Sequence, residues 1–186
     1  TLVSNNCGHS PVSLKTQISV LSGKGTGPNV LLLIGHNAVR AHVMGKDARR
    51  SASEEEIGRM KGLIREAMED GAAGMSSGLE YVPAIWSTQE EVIELVKELV
   101  PYDGAFLVHE RAAGLTPMWY VPSQDEPGPP NMLQNILDLI EVSEKTGATV
   151  VAAHIKARGS DFWGGSTAIN RLIESARARG VDIWAD

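Results

Sequence analysis

ATVVAAHIKARG, Ala148 to Gly159, is the stretch that decides the fold. A run of small and β-branched apolar residues, Thr149 to Ala153, stops abruptly at His154, Ile155 and Lys156. A short apolar run between Gly147 and a polar loop has the pattern of a strand buried on both faces of a parallel sheet. The first polar side chain after such a strand sits at its carboxyl end, the edge where α/β folds bind ligands and metals. AFLVHER, Ala105 to Arg111, repeats the pattern with His109 after an apolar run. The opening TLVSNN leads in the same way to Cys7. Two histidines and a cysteine at the ends of separate strands would converge in space while remaining far apart in sequence.

The chain has 186 residues, enough for one domain with a substantial core. Its 42% hydrophobic and 22% charged content are those of a globular protein. A net charge of -6 argues against nucleic acid or an anionic membrane surface as partner, because both need a basic face. No apolar stretch is long enough to span a bilayer, and no signal-peptide pattern follows Thr1. The cytoplasm is therefore the expected compartment. The single cysteine excludes an internal disulfide. The chain opens on a strand-like segment without an initiator Met and closes on another, VDIWAD, so a piece of a larger protein is expected.

Between these ends, helix and strand signals alternate. Pro11 to Leu21 could be helical, and the glycine-rich GKGTGP, Gly23 to Pro28, lacks a phosphate-binding pattern and reads as a turn. Val30 to Ile34 is a buried strand; Asn37 is expected to cap a short helix through Val43, and His36 to stand behind the site at best. SEEEIGRMKGLIREAMEDG is the clearest helix. Ser53 and Glu56 form a capping box, Ile57, Met60, Leu63, Ile64, Ala67 and Met68 make an apolar stripe, and Gly71 ends it. Ser87 with Glu90 suggests a second capping box. The proline-rich segment from Ala112 to Pro130 is a long βα loop, expected as a lid or substrate wall, with Trp119 and Tyr120 either lining a pocket or anchoring the loop. Asn131 caps the helix Met132 to Lys145, whose core face is expected to carry Leu133, Ile136, Leu137 and Ile140. A last helix, Thr167 to Arg179, precedes VDIWAD.

Repeated βα units imply parallel strands with right-handed crossovers. The alternatives are an open doubly wound sheet and part of a (β/α)8 barrel. A complete barrel needs about 250 residues, so this chain would hold five or six of eight strands. Thiolate and imidazole suit zinc, and catalytic zinc sites keep a position open for water. From the residues alone the bland readings stand equally well: a lone cysteine is commonly a buried inert thiol, and a strand-end histidine can simply bond to a loop.

At this point the sequence resembles a family. NCG at Asn6 to Gly8, GHNAVR at Gly35 to Arg40, SSGLEYVP at Ser76 to Pro83, HER at His109 to Arg111 and HIK at His154 to Lys156 stand in the order found in N-acyl-D-amino-acid deacylases of the amidohydrolase superfamily. The resemblance implies a partial (β/α)8 barrel, truncated at both ends, forming the central part (residues 1–186) of one metal-dependent hydrolase domain. It implies that Cys7, His109 and His154 are zinc ligands, and that Tyr81, Arg111 and Lys156 meet a small-molecule N-acyl amino acid. The family's His-x-His motif would precede Thr1, and its catalytic aspartate would follow Asp186. Glu110 stands where the family usually has Met, and Ala153 where it has Ser. Two rival readings remain: a cyclic-amide hydrolase of the dihydroorotase or hydantoinase type, and a non-catalytic barrel fragment. The raw sheet edges of an incomplete barrel also suggest self-association.

Overall fold

The computed structural model describes residues 1–115 and 131–186; the expected roles of Trp119 and Tyr120 lie outside the described residues. Six strands run in chain order: β1 (Leu2–Ser4), β2 (Val30–Gly35), β3 (Gly74–Gly78), β4 (Ala105–His109), β5 (Val150–Ala152) and β6 (Ile183–Ala185). Each pairs in parallel with the next, so the sheet order is β1-β2-β3-β4-β5-β6. Helices α1 (Leu14–Lys24), α2 (His36–Met44), α3 (Glu54–Glu69), α4 (Gln89–Lys97), α5 (Met132–Thr146) and α6 (Ser166–Ala178) form the crossovers. Strand order that never reverses is the order of a closed barrel, and a doubly wound sheet would reverse it. The architecture is a curled half-barrel of parallel strands.

Side chains alternate across each strand, and the register shows which set faces inward. Phe106, Val108, Val150 and Ala152 share one face and are fully buried under the helices. Leu107 and Val151 share the other, the inner face, and are half-exposed. The core therefore lies between the outer face of the sheet and the helices, where Met60, Ile64, Val92, Val96, Ile136 and Ile140 pack against it. Helix α3 begins as expected, with the Ser53 hydroxyl accepting from Glu56 N–H while the Glu56 carboxylate accepts from Ser53 N–H. Helix α5 is capped by Asn131, which accepts from Leu133 and Gln134 N–H.

Three local expectations are corrected. Asn37 caps nothing: α2 starts at His36 with Gly35 as its N-cap, and Asn37 is buried in a loop contact described below. The cap of α4 is one residue later than expected. Thr88 accepts from Glu91 N–H, while Ser87 Oγ donates to Ala84 O. On α5, Leu137 faces solvent and Leu139 takes the core position, because the inward stripe is 132, 136, 139 and 140.

The outer layer also holds an ionic network. Arg40 Nη1 on α2 donates to both oxygens of Glu91 on α4, at 2.7 and 2.6 Å, and Arg40 Nε donates to Pro83 O at 3.0 Å. His36 joins Ser77 Oγ through Nδ1 at 2.8 Å and Glu91 through Nε2 at 3.0 Å. Arg40, His36 and Glu91 are all at 0% exposure. Burial works to raise the Glu91 pKa, but His36 and Arg40 outweigh it and hold the carboxyl below its usual range. His36 lies on the outer face with Ser77, whose strand neighbour is Val108, so it packs helices against the sheet and does not reach the barrel interior. Removing one partner of a buried pair leaves the other charge stranded. Arg40→Met should thus cost about 3–5 kcal/mol of unfolding free energy in urea titrations; a loss below about 1 kcal/mol would show that the network is not structural.

The outer edges of β1 and β6 have no strand partner among the described residues. On the inner face near β1, Val3 and Leu31 are 48% and 45% exposed, and Trp184 on β6 is 49% exposed beneath the Arg177 guanidinium. Open edges with apolar side chains favour pairing with another chain. Size-exclusion chromatography of the 186-residue chain should therefore show mass rising with concentration. A monomer at every concentration would exclude self-association through these edges.

Candidate metal centre

His109 is the last residue of β4 and belongs to its inward set with Ala105 and Leu107, so strand geometry alone aims it at the barrel interior. His154 is different. Continuing the alternation of β5 would place it with Val150 and Ala152, under the helices. The chain instead leaves strand geometry after Ala152, and His154 adopts φ +43, a left-handed value uncommon for a side chain with a Cβ. Asp186 secures this turn: its carboxylate accepts from His154 N–H, and its carbonyl accepts from Ile155 N–H at 3.0 Å. Cys7, past the end of β1, has φ +58, also left-handed. Strained backbone of this kind costs of order 1–3 kcal/mol and persists only where surrounding contacts impose it.

For Cys7 those contacts come from β3 and α2. Gly8 N–H donates to Ser76 Oγ at 3.0 Å, and Ser76 Oγ donates to Asn5 O. Asn37 accepts from Gly78 N–H at 3.0 Å and donates to Gly78 O at 3.1 Å, while Ala38 N–H donates to Gly8 O at 3.1 Å. This is the work of the buried Asn37 in the GHNAVR segment.

The two turns and the end of β4 bring Cys7 Sγ to 3.8 Å from His154 Nε2, and His154 Nε2 to 3.1 Å from His109 Nδ1. All three ligand atoms lie within 4.8 Å of one another. Across a tetrahedral zinc, bonds of about 2.05 Å to nitrogen and about 2.3 Å to sulfur set nitrogens about 3.3 Å apart and sulfur about 3.6 Å from nitrogen. The two closest separations here differ from those by a few tenths of an ångström. One soft thiol and two imidazoles are also zinc's own donor set. The residues fit a metal ion.

A carboxylate overlooked in the sequence completes the arrangement. Glu80, fully buried, takes His109 Nε2 at 3.1 Å and Arg158 Nη1 at 3.0 Å. Carboxylate–histidine pairs of this kind orient metal-binding imidazoles. Its position directly before Tyr81 in SSGLEYVP was the available signal. The Tyr81 hydroxyl stands 3.4 Å from His109 Nδ1, with the two ring centroids 4.4 Å apart. Lys156 Nζ is 3.1 Å from His154 Nδ1. Arg111 is turned elsewhere: its guanidinium meets Ala84 O, Ile85 O and Ser87 Oγ at 3.2–3.4 Å, and burial lowers its pKa to about 10. In this arrangement Arg111 braces the turn after Tyr81.

Glu110 continues the outer set of β4. It is 1% exposed, and neither carboxylate oxygen has a hydrogen-bond partner among the described residues. Burial raises its pKa, against smaller opposing effects that include His109 and Lys156. Burial also pushes the Cys7 thiol up, with Lys156 opposing and Glu110 adding. The His154 pKa is lowered by burial first, then by Lys156 and His109.

No protein-family model matches the chain. Among curated proteins, it is 32% identical over 151 residues to the D-aminoacylase of Alcaligenes xylosoxydans xylosoxydans, covering 81% of this chain and 28% of that protein. It is 29% identical over 159 residues to the N-acyl-D-glutamate deacylase of the same organism, covering 85% of this chain and 29% of that one. The crystal structure of D-aminoacylase superposes on 99% of the chain, and 40% of its own length, with a TM-score of 0.83 at 27% identity. The chain belongs with the N-acyl-D-amino-acid deacylases. It spans less than a third of the length of these two curated deacylases. The N-acyl-D-glutamate deacylase of Bordetella bronchiseptica shares the deacylase fold at 22% identity and a TM-score of 0.85. An Arthrobacter aurescens L-hydantoinase superposes more loosely, with a TM-score of 0.55 at 14% identity.

The Cys7 loop admits a direct test. Gly8 has φ +80, and a Cβ there would lie 1.8 Å from Asn37 Oδ1 and 2.8 Å from Gly78 N. Gly8→Ala should break the Asn37 clamp and destabilise the chain by more than about 1 kcal/mol. Gly25→Ala, also at positive φ but with nothing within 4 Å, should cost less. Equal losses in thermal or urea unfolding would show that the clamp contributes nothing beyond backbone strain.

Proposed function

We propose that this chain carries the metal-binding part of a hydrolase that cleaves the amide bond of N-acyl-D-amino acids, with zinc as the metal. The observation that supports it most is the meeting of Cys7, His109 and His154 within 4.8 Å at the carboxyl edge of a deacylase-type half-barrel. Cys7, His109 and His154 would hold the ion, which when bound supplies Lewis-acid polarisation of the acyl carbonyl and acidifies water.

The chain's own residues then have defined tasks. Glu80 holds His109 by Nε2, which leaves Nδ1 directed at the cluster. The Tyr81 hydroxyl, beside the same Nδ1, would donate to a substrate oxygen. Lys156 brings a positive charge to the rim, suited to the carboxylate of an N-acyl amino acid. Asp186 is committed to the His154 backbone and serves as no proton carrier. The proton carrier for the leaving amine is the aspartate that the family resemblance expects beyond Asp186.

The printed descriptions of the relatives favour this reading over the cyclic-amide one. Two curated deacylases align across most of the chain, whereas the hydantoinase likeness at 14% identity is one of fold alone. A binuclear metal centre with one-metal activation is described for D-aminoacylase itself, at 26% identity. Zinc rests on the thiolate and imidazole donors.

Cobalt is a spectroscopic substitute for zinc, and titrating the chelator-stripped 186-residue chain with it should give thiolate-to-metal charge-transfer absorption. Cys7→Ala should abolish that band, and His154→Ala should weaken binding by more than about 100-fold, since even outer partners of a ligand are worth 10–100-fold. With no aspartate facing the cluster among the described residues, the zinc-loaded chain alone should not turn over N-acetyl-D-amino acids. Turnover that survives both substitutions would refute the assignment.

Burial keeps the Cys7 thiol protonated through neutral pH, and ligation must expel that proton. Apparent metal affinity should therefore rise with pH, by about tenfold per unit below the thiol pKa. A pH-independent affinity from pH 6 to 8 would exclude the thiol as ligand.

A further inference from the structure

Three of the loops at the carboxyl edge of the sheet meet at one residue, Arg158. It lies on the loop after β5, as far past His154 as Ala113 lies past His109. Its side chain crosses to the loop after β3, where Nη1 donates to Glu80 Oε1 at 3.0 Å. Its main-chain N–H donates to Ala113 O, on the loop after β4, at 2.6 Å. Its carbonyl lies against Gly114, where a Cβ would come within 2.5 Å of the oxygen. A residue without a Cβ lets the two backbones close on each other there.

The side-chain contact divides the Glu80 carboxylate. Oε2 meets His109 Nε2 at 3.1 Å, and Oε1 takes Arg158. A carboxyl group held by one oxygen still turns about its last bond, a torsion with broad preferences. A bond at the other oxygen fixes the plane of the group, and with it the direction from which Glu80 meets the His109 ring. Glu80 sits in a turn, so no strand or helix aims it. Its side chain is at 0% exposure and that of Arg158 at 33%, so the pair is shielded on the Glu80 side, where a charge-assisted hydrogen bond is stronger than in water.

Resting on the metal-binding reading above, we propose that Arg158 is a positioning residue for the metal centre. Its guanidinium fixes Glu80, and Glu80 fixes His109. Its main chain, laid against Ala113 and Gly114, sets the spacing between the loop that leaves His109 and the loop that leaves His154. One residue thus registers the two histidine-bearing loops with each other and with the turn that carries Glu80 and Tyr81.

This role and the charge of Arg158 act in opposite senses, which makes the test direct. By Coulomb's law, removing a cation near a metal site tightens metal binding. Removing a positioning residue loosens it. In cobalt titrations of the chelator-stripped chain, Arg158→Met should weaken binding by about 10–100-fold, the scale of losses when an outer partner of a ligand is removed. Arg158→Lys keeps the charge but not the planar fork, and should fall between Arg158→Met and wild type. Gly114→Ala changes no charge and should also weaken binding, by pushing the Arg158 backbone away. Because the side chain acts through Glu80, the double variant Glu80→Leu with Arg158→Met should bind no more weakly than Glu80→Leu alone. Urea unfolding of the same metal-free variants separates positioning from stability. Cobalt affinity unmoved or tightened by Arg158→Met, a loss confined to urea stability, or an Arg158→Met loss of the same size without Glu80 would each overturn the role. Should Arg158→Met fail to fold, Arg158→Lys and Gly114→Ala decide, and wild-type affinity in both overturns it. Cobalt binding indifferent to Cys7→Ala and His154→Ala would instead overturn the metal-binding reading beneath it.

Discussion

Everything at the candidate metal centre depends on the curl of the sheet. Cys7 follows β1 and His154 follows β5, four strand steps apart. In a flat sheet those steps span roughly 19 Å at about 4.8 Å per strand. The thiol and the imidazole are nevertheless 3.8 Å apart. Strands joined in sequence order by right-handed crossovers all carry their helices on one side, and the twist of parallel strands then rolls the sheet around the other. The inner face becomes concave, and residues at its carboxyl rim are drawn together.

The curl is held from both faces of β3. Ser77 faces outward and bonds to His36, which with Arg40 and Glu91 ties α2 to α4 across the back of the sheet. Ser76 faces inward and bonds to the Gly8 N–H of the Cys7 loop. Two adjacent serines thus serve opposite layers because strand alternation sends them apart. The turn that follows β3 carries Glu80 and Tyr81 into the site, and Arg40 and Arg111 hold its far end through Pro83, Ala84 and Ile85 carbonyls. A charged network buried behind the sheet and a polar cluster in front of it are therefore mechanically joined.

Backbone strain marks the same place. Of the four non-glycine residues at positive φ among those described, Cys7 and His154 are both candidate ligands, and Asn5 lies in the Cys7 loop. The left-handed turn at His154 is the means by which a donor that strand parity would send outward reaches the interior, whereas Cys7 already shares the parity of the inward-facing Val3. His109, whose parity is already correct, needs no such turn.

The sequence by itself determined the alternating βα order, the parallel sheet, the capped α3 and α5 helices and the strand-end positions of Cys7, His109 and His154. These are local properties: apolar runs, capping residues and the first polar side chain after a strand are legible without neighbours. The resemblance to deacylases, carried by short motifs in fixed order, agrees with the sequence and fold likeness to D-aminoacylase. Parity and partnership were decided by the tertiary structure. Nothing in GHNAVR says that His36 faces outward and that Asn37 holds the end of β3 at Gly78, far downstream in the chain, since both depend on where β2 ends and what packs above it. Glu80 looked like any loop acid until β4 brought His109 to 3.1 Å from it. Arg111 looked free to meet a ligand until the Ala84–Ser87 turn closed over its guanidinium. A side chain's chemistry is written in its own residue type, but its direction and its partner are set by strands that only the folded sheet places side by side.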